Sequence, residues 1–137
     1  MPNDLDVMLK VTLDKSTNPW SLDVDQHGDP NHVNQGPNPQ RIVWTLMGDA
    51  SSGSFVALDA NEPGFAWFGE QPADGIFDGL SISPNSSKQL TVTDYHLSAA
   101  SSGTWIYTLR AQIGGTVYAT IAISPTGENT NPSIKNN

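Results

Sequence analysis

The chain has 137 residues, with six Lys and Arg against fourteen Asp and Glu, a formal net charge of −8 and no cysteine. A domain of this length buries roughly two thirds of its unfolded surface and needs neither disulfide nor structural metal to fold. The missing cysteines remove thiol nucleophiles, Fe–S clusters and Cys-type zinc sites. The six cations (Lys10, Lys15, Arg41, Lys88, Arg110 and Lys135) never cluster, which argues against nucleic acid or an anionic membrane as partner.

The opening Met1-Pro2-Asn3-Asp4-Leu5-Asp6 is acidic, and no apolar run follows it, so no signal peptide is expected and the expected location is cytoplasmic. From there the apolar period is two almost throughout. Val7, Leu9, Val11 and Leu13 form one face of a first strand, and Trp20, Leu22 and Val24 one face of a second. Ile42, Trp44 and Leu46 alternate with Arg41, Val43, Thr45 and Met47. Phe55 to Leu58, Phe65 to Phe68, Leu80 to Ile82 and Gln89 to Thr93 read as shorter strands. Trp105, Tyr107, Leu109 and Ala111 share a face, and so do Val117, Ala119, Ile121 and Ile123. Ile113-Gly114-Gly115-Thr116 joins those two strands, because a Gly pair supplies the positive φ of a tight hairpin. Only Asp94 to Ser101 has the makings of a helical turn, with Asp94 as its cap.

Turn formers separate the strands at Asn18-Pro19, Gly28-Asp29-Pro30-Asn31, Gly36-Pro37-Asn38-Pro39, Ser51-Ser52-Gly53, Pro63-Gly64 and Ser83-Pro84-Asn85. Many short strands with regular turns predict an all-β, Greek-key β-sandwich of a single domain, immunoglobulin-like or cupredoxin-like, over residues 1–125. Residues 126–137 carry a single Ile among polar residues and are expected to be a flexible tail.

No nucleophile elbow, phosphate-cradling loop or other catalytic apparatus is evident, so no catalytic residue is assigned and the chain is expected to be non-enzymatic. Asp23, Asp25 and Gly28 fall at three positions of a calcium loop, but Asn34 stands where the bidentate Glu belongs and no helices flank it. His27, Asp29 and His32 could fold onto one transition metal, with His96 as a further ligand. Three His in such a chain is ordinary usage, and no metal or other cofactor is assigned. Asp59, Glu62, Glu70, Asp74 and Asp78 crowd one stretch, where a carboxylate pair could arise. Asn61 to Pro72 sets Phe65, Trp67 and Phe68 beside two carboxylates, and Trp67 could stack on a ligand or fill the core. The proline after Asp29 and after Glu62 restricts each acid to extended geometry and so fixes where it points.

Asp29-Pro30 and Glu62-Pro63, in a chain of this size and pattern, resemble the DP-EP family, a small group of bacterial proteins named for those dipeptides. The resemblance covers most of residues 5–124 and implies a soluble bacterial β-protein, with no catalytic residues to carry over. Val43 to Ile123 is also similar in rhythm to cupredoxins, Gly103 to Leu109 resembling their ligand-bearing hairpin. Leu109 stands where the copper-binding Cys would be, and Ala111 and Gln112 where a His would follow, so the blue-copper ligand set cannot form. The function expected is a non-catalytic binding or assembly module. Its candidate binding residues are His27, Asp29, His32, Glu62 and Trp67, and its partners are a second copy of itself, a small molecule or a protein. The alternative is a metal- or carboxylate-dependent enzyme built on His27, Asp29 and His32.

Overall fold

The computed structural model describes residues 7–15, 20–25, 31–37, 39–83, 87–120 and 132–137. The strands are β1 (Val7–Asp14), β2 (Ser21–Val24), β3 (Asn31–Val33), β4 (Gln40–Leu46), β5 (Ser54–Phe55), β6 (Phe65–Trp67), β7 (Phe77–Ile82), β8 (Gln89–Asp94), β9 (Gly103–Ile113), β10 (Thr116–Ala119) and β11 (Ser133–Asn136). They form two sheets, so the all-β sandwich is the fold observed.

The first sheet runs β2-β1-β4-β8-β7. Every pairing in it is antiparallel except β1 with β4, which is parallel with Leu9 opposite Trp44. The second sheet is organised on β9. Tyr107 N donates to Pro132 O, and Thr120 N to Leu109 O, along one edge of β9. Phe68 N to Ile106 O, Val56 N to Arg110 O and Arg110 N to Gly64 O run along the other. Since successive residues of a strand bond to opposite sides, β10 and β11 share one edge of β9 and β5 and β6 the other. β3 lies outside β11 and parallel to it. A parallel bridge from Leu22 to Thr120 ties the two sheets together beside β2 and β10.

The alternation explains the packing. Ile42, Trp44, Leu46, Leu90, Val92, Tyr107, Leu109 and Ala111 point between the sheets and form one buried cluster with Val11, Phe55 and Phe65. At its middle, the Trp44 ring lies 5.1 Å from Tyr107 and 5.5 Å from Phe65, and the Trp44 indole N–H donates to the Tyr107 hydroxyl at 2.9 Å. Burial pushes the Tyr107 phenol far above its ordinary range. The β9–β10 hairpin turns on Gly114 and Gly115 at φ 59° and 86°, the two positive φ values of a primed turn.

Several expectations give way. Residues 94–101 do not form a helical turn from Asp94: Asp94 ends β8, and a 3-10 turn covers only Ala99–Ser101. Asp94 continues the inward phase of Leu90 and Val92, and that phase takes precedence over capping. Trp20 and Val117 are 43% and 50% exposed, and it is Tyr118 that packs against the core from β10. Ile121 and Ile123 lie outside the described residues. The end of the chain is not a loose tail over residues 133–136. β11 pairs with both β9 and β3, and Ile134 is fully buried. One apolar residue suffices there because a strand with neighbours on both edges satisfies its backbone and is covered by the facing sheet.

Candidate functional site

Of the residues singled out by sequence, the three that are described, His32, Glu62 and Trp67, do not converge. His27 and Asp29 lie outside the described residues. His32 projects from β3 into solvent and donates from Nδ1 to Asn137 Oδ1 at 3.3 Å. Trp67 sits on β6, with β9 and β11 between it and β3. It is half-buried, 4.9 Å from the Phe65 ring and 4.7 Å from Phe77, where it bridges the two sheets beside β7. Glu62 is exposed, its Oε2 4.0 Å from Arg110 Nε. Arg110 also donates from Nη1 to Pro63 O at 3.1 Å, and its own backbone N–H bonds Gly64 O at 3.0 Å. The Glu62-Pro63 turn is thereby fastened onto β9. Gly64 is needed because a Cβ there would stand 2.3 Å from Val56 O. Asp59, Glu70, Asp74 and Asp78 are exposed, and among the described residues no three His, Asp or Glu side chains form a group that could hold a metal ion.

Two other places stand out. The first is an open groove of about 340 Å³ on the outer face of the five-stranded sheet. Register sets Met8, Val43, Thr91 and Ser81 in one row across β1, β4, β8 and β7, with Lys10, Thr45 and Gln89 in the next. Val43 points outward yet is only 5% exposed, while Met8 is 60% exposed. Arg41, Gln89 and Thr91 bring hydrogen-bonding groups to the same groove. Gln89 Nε2 reaches Thr45 Oγ1 at 3.5 Å. The sequence alternation had already placed Arg41, Val43 and Thr45 on one face, but nothing in it said that this face would stay open.

The second place is buried, at the end of the sandwich where β8 and β11 stop. Asn136 Nδ2 donates to Asp94 Oδ1 at 3.2 Å and to Ser101 O at 2.8 Å. His96 Nδ1 meets Ser101 Oγ at 2.6 Å, and Ser101 Oγ donates to Ser98 O at 2.8 Å. His96 Nε2 donates to the main-chain oxygen of Asn137. Asn137 Nδ2 then donates to Asn34 Oδ1 at 3.1 Å, so His32, Asn34 and His96 all grip one residue that is distant from them in sequence. Asp94, His96, Ser101 and Asn136 are all buried. Burial raises the Asp94 carboxyl to about 6, against the lowering effects of its Asn136 bond and of His96. The signal for this cluster was present in the sequence as a polar residue in the inward phase of β8. Its partners come from β11 and from the Ser98–Ser101 turn, so sequence spacing could not supply them. Ser101, His96 and Asp94 do not form a nucleophilic relay: Ser101 is buried, and Asp94 is bonded to Asn136 rather than to the imidazole.

No family model, curated protein or solved structure matches this chain.

Proposed function

We propose that this chain is a non-catalytic binding module of a soluble bacterial protein, and that its binding surface is the outer face of the five-stranded sheet. The observation that carries this is the open, mainly polar groove beside Val43, where Arg41, Ser81, Gln89 and Thr91 bring hydrogen-bonding groups to one concave surface. Its placement on three central strands, β1, β4 and β8, gives it a rigid base.

Supporting the non-catalytic side, both ring nitrogens of His96 are engaged inside the fold. A metal-dependent enzyme on His27, Asp29 and His32 is the less favoured reading, because the described one of the three, His32, already serves Asn137. The cupredoxin-like rhythm supports the fold rather than electron transfer, since Leu109 and Ala111 are fully buried hydrocarbon where copper ligands would be needed.

An NMR screen of small polar fragments against the intact chain tests the reading. Hits should move the amides of Val43, Gln89 and Thr91 and be lost in Met8→Glu, a solvent-side change that leaves the fold intact. Hits that map elsewhere, or turnover in a hydrolase and oxidase panel, would overturn it.

A further inference from the structure

Among the described residues, the buried side-chain atoms without a hydrogen-bond partner are Gln40 Oε1, Asp94 Oδ2, Asn136 Oδ1, Asn31 Nδ2 and Trp105 Nε1. Three of the five are oxygens of neighbouring side chains. Gln40 and Asp94 are direct cross-strand partners on the inward face of β4 and β8, and Asn136 is bonded to Asp94 from β11. The orientation of Asn136 is not interchangeable: its Nδ2 serves both Asp94 Oδ1 and Ser101 O, so the orphaned atom is the amide oxygen. Asp94 and Asn136 are 0% and 2% exposed, too enclosed for bulk water to satisfy them.

An acceptor buried without a donor is costly, and native folds rarely leave one so. A proton on Asp94 Oδ2 would answer two of the three oxygens, its own and the one neighbour it donates to. A hard cation, which takes oxygen ligands, answers all three. Charge then selects its valence. One carboxylate and two neutral amide oxygens carry a single negative charge, which a monovalent ion cancels. A divalent ion would bury an uncompensated charge.

We propose that the end of the sandwich binds a dehydrated alkali-metal cation, Na⁺ or K⁺, through Asp94 Oδ2, Asn136 Oδ1 and Gln40 Oε1. The ion fastens β11 to β4 and β8, and so joins the two sheets where the chain ends. Burial raises the Asp94 carboxyl to about 6, so a proton competes for this place below that pH and the cation binds above it. The two orphaned donors, on β3 and β9, take no part.

Thermal unfolding of the intact chain at pH 8, in NaCl, KCl or choline chloride at constant ionic strength, tests the proposal. Tm should be higher in Na⁺ or K⁺ than in choline and climb by about 5 °C per tenfold rise in cation once the site fills. Asp94→Asn, close in shape, should fold and lose that dependence. Gln40→Glu adds a second carboxylate and should transfer the dependence to Ca²⁺. ²³Na line broadening, present in the wild type and absent in Asp94→Asn, gives a readout independent of stability. Equal Tm in all three salts without ²³Na broadening, or an undiminished Na⁺ dependence in Asp94→Asn, would overturn it.

Discussion

The middle of the sandwich and its polar end are equally dry but dispose of their polar atoms differently. In the middle, the Trp44 indole N–H is closed by the Tyr107 hydroxyl among rings 4.9 to 5.5 Å apart. At the end, Asp94 and Asn136 each keep an oxygen without a donor. A closed pair in a packed core is architecture, because it specifies one arrangement and offers nothing to a ligand. Open acceptors in an equally buried setting are an invitation to a proton or an ion.

The sharpest way to break the middle is Phe65→Ala, which removes a 4% exposed ring packed on Trp44, Trp67 and Tyr107 and should cost about 3–5 kcal/mol in urea unfolding. Ile134→Ala tests whether the polar end belongs to the same core. A fully buried Ile there should cost about 2–4 kcal/mol, whereas an unchanged midpoint would mean β11 is loose.

A smaller effect sharpens the contrast itself. In the polar end, the Asp94 carboxyl is raised from 3.8 to about 6, so the folded state holds its proton more tightly than the unfolded chain does. The stabilisation from that proton is complete below about pH 3.8 and is lost as pH rises through about 6. In choline buffer the wild type should therefore lose up to about 3 kcal/mol across that window relative to Asp94→Asn, whose curve should be flatter. Parallel curves would remove Asp94 as the cause. In the middle, Tyr107→Phe strands the buried Trp44 N–H and should cost about 1–3 kcal/mol, independent of pH over the same range. Smallest of all, Glu62→Gln should shift stability by less than about 0.5 kcal/mol, because its contact with Arg110 is long and exposed.

Much of the middle was legible in advance. Ile42, Trp44 and Leu46, and Trp105, Tyr107, Leu109 and Ala111, recur at every second residue, and a strand with one face inward buries them together. The candidate site was legible only in fragments. His32, Glu62 and Trp67 were picked out for their chemistry, and the fold spreads them over β3, the turn beside β9 and β6. Residues 94–101 read locally as a capped helical turn, yet the phase of Asp94 with Leu90 and Val92 places it inside. β11 was missed for a related reason: its four residues hold one apolar side chain, and their burial comes from β9 and β3 rather than from their own composition.

By itself, the sequence determined an acidic, cysteine-free all-β domain with its main strands and its glycine hairpin, because period two and turn chemistry act over a few residues. Only the tertiary structure decided that the last strand pairs with β9, and that Asp94, opposite Gln40 and bonded to Asn136, lies where an oxygen of each stays unsatisfied. It alone left the face around Val43 open to solvent. Those outcomes depend on which strands become neighbours, and pairing between residues as far apart as Asn31 and Ile134 leaves no local trace in the chain.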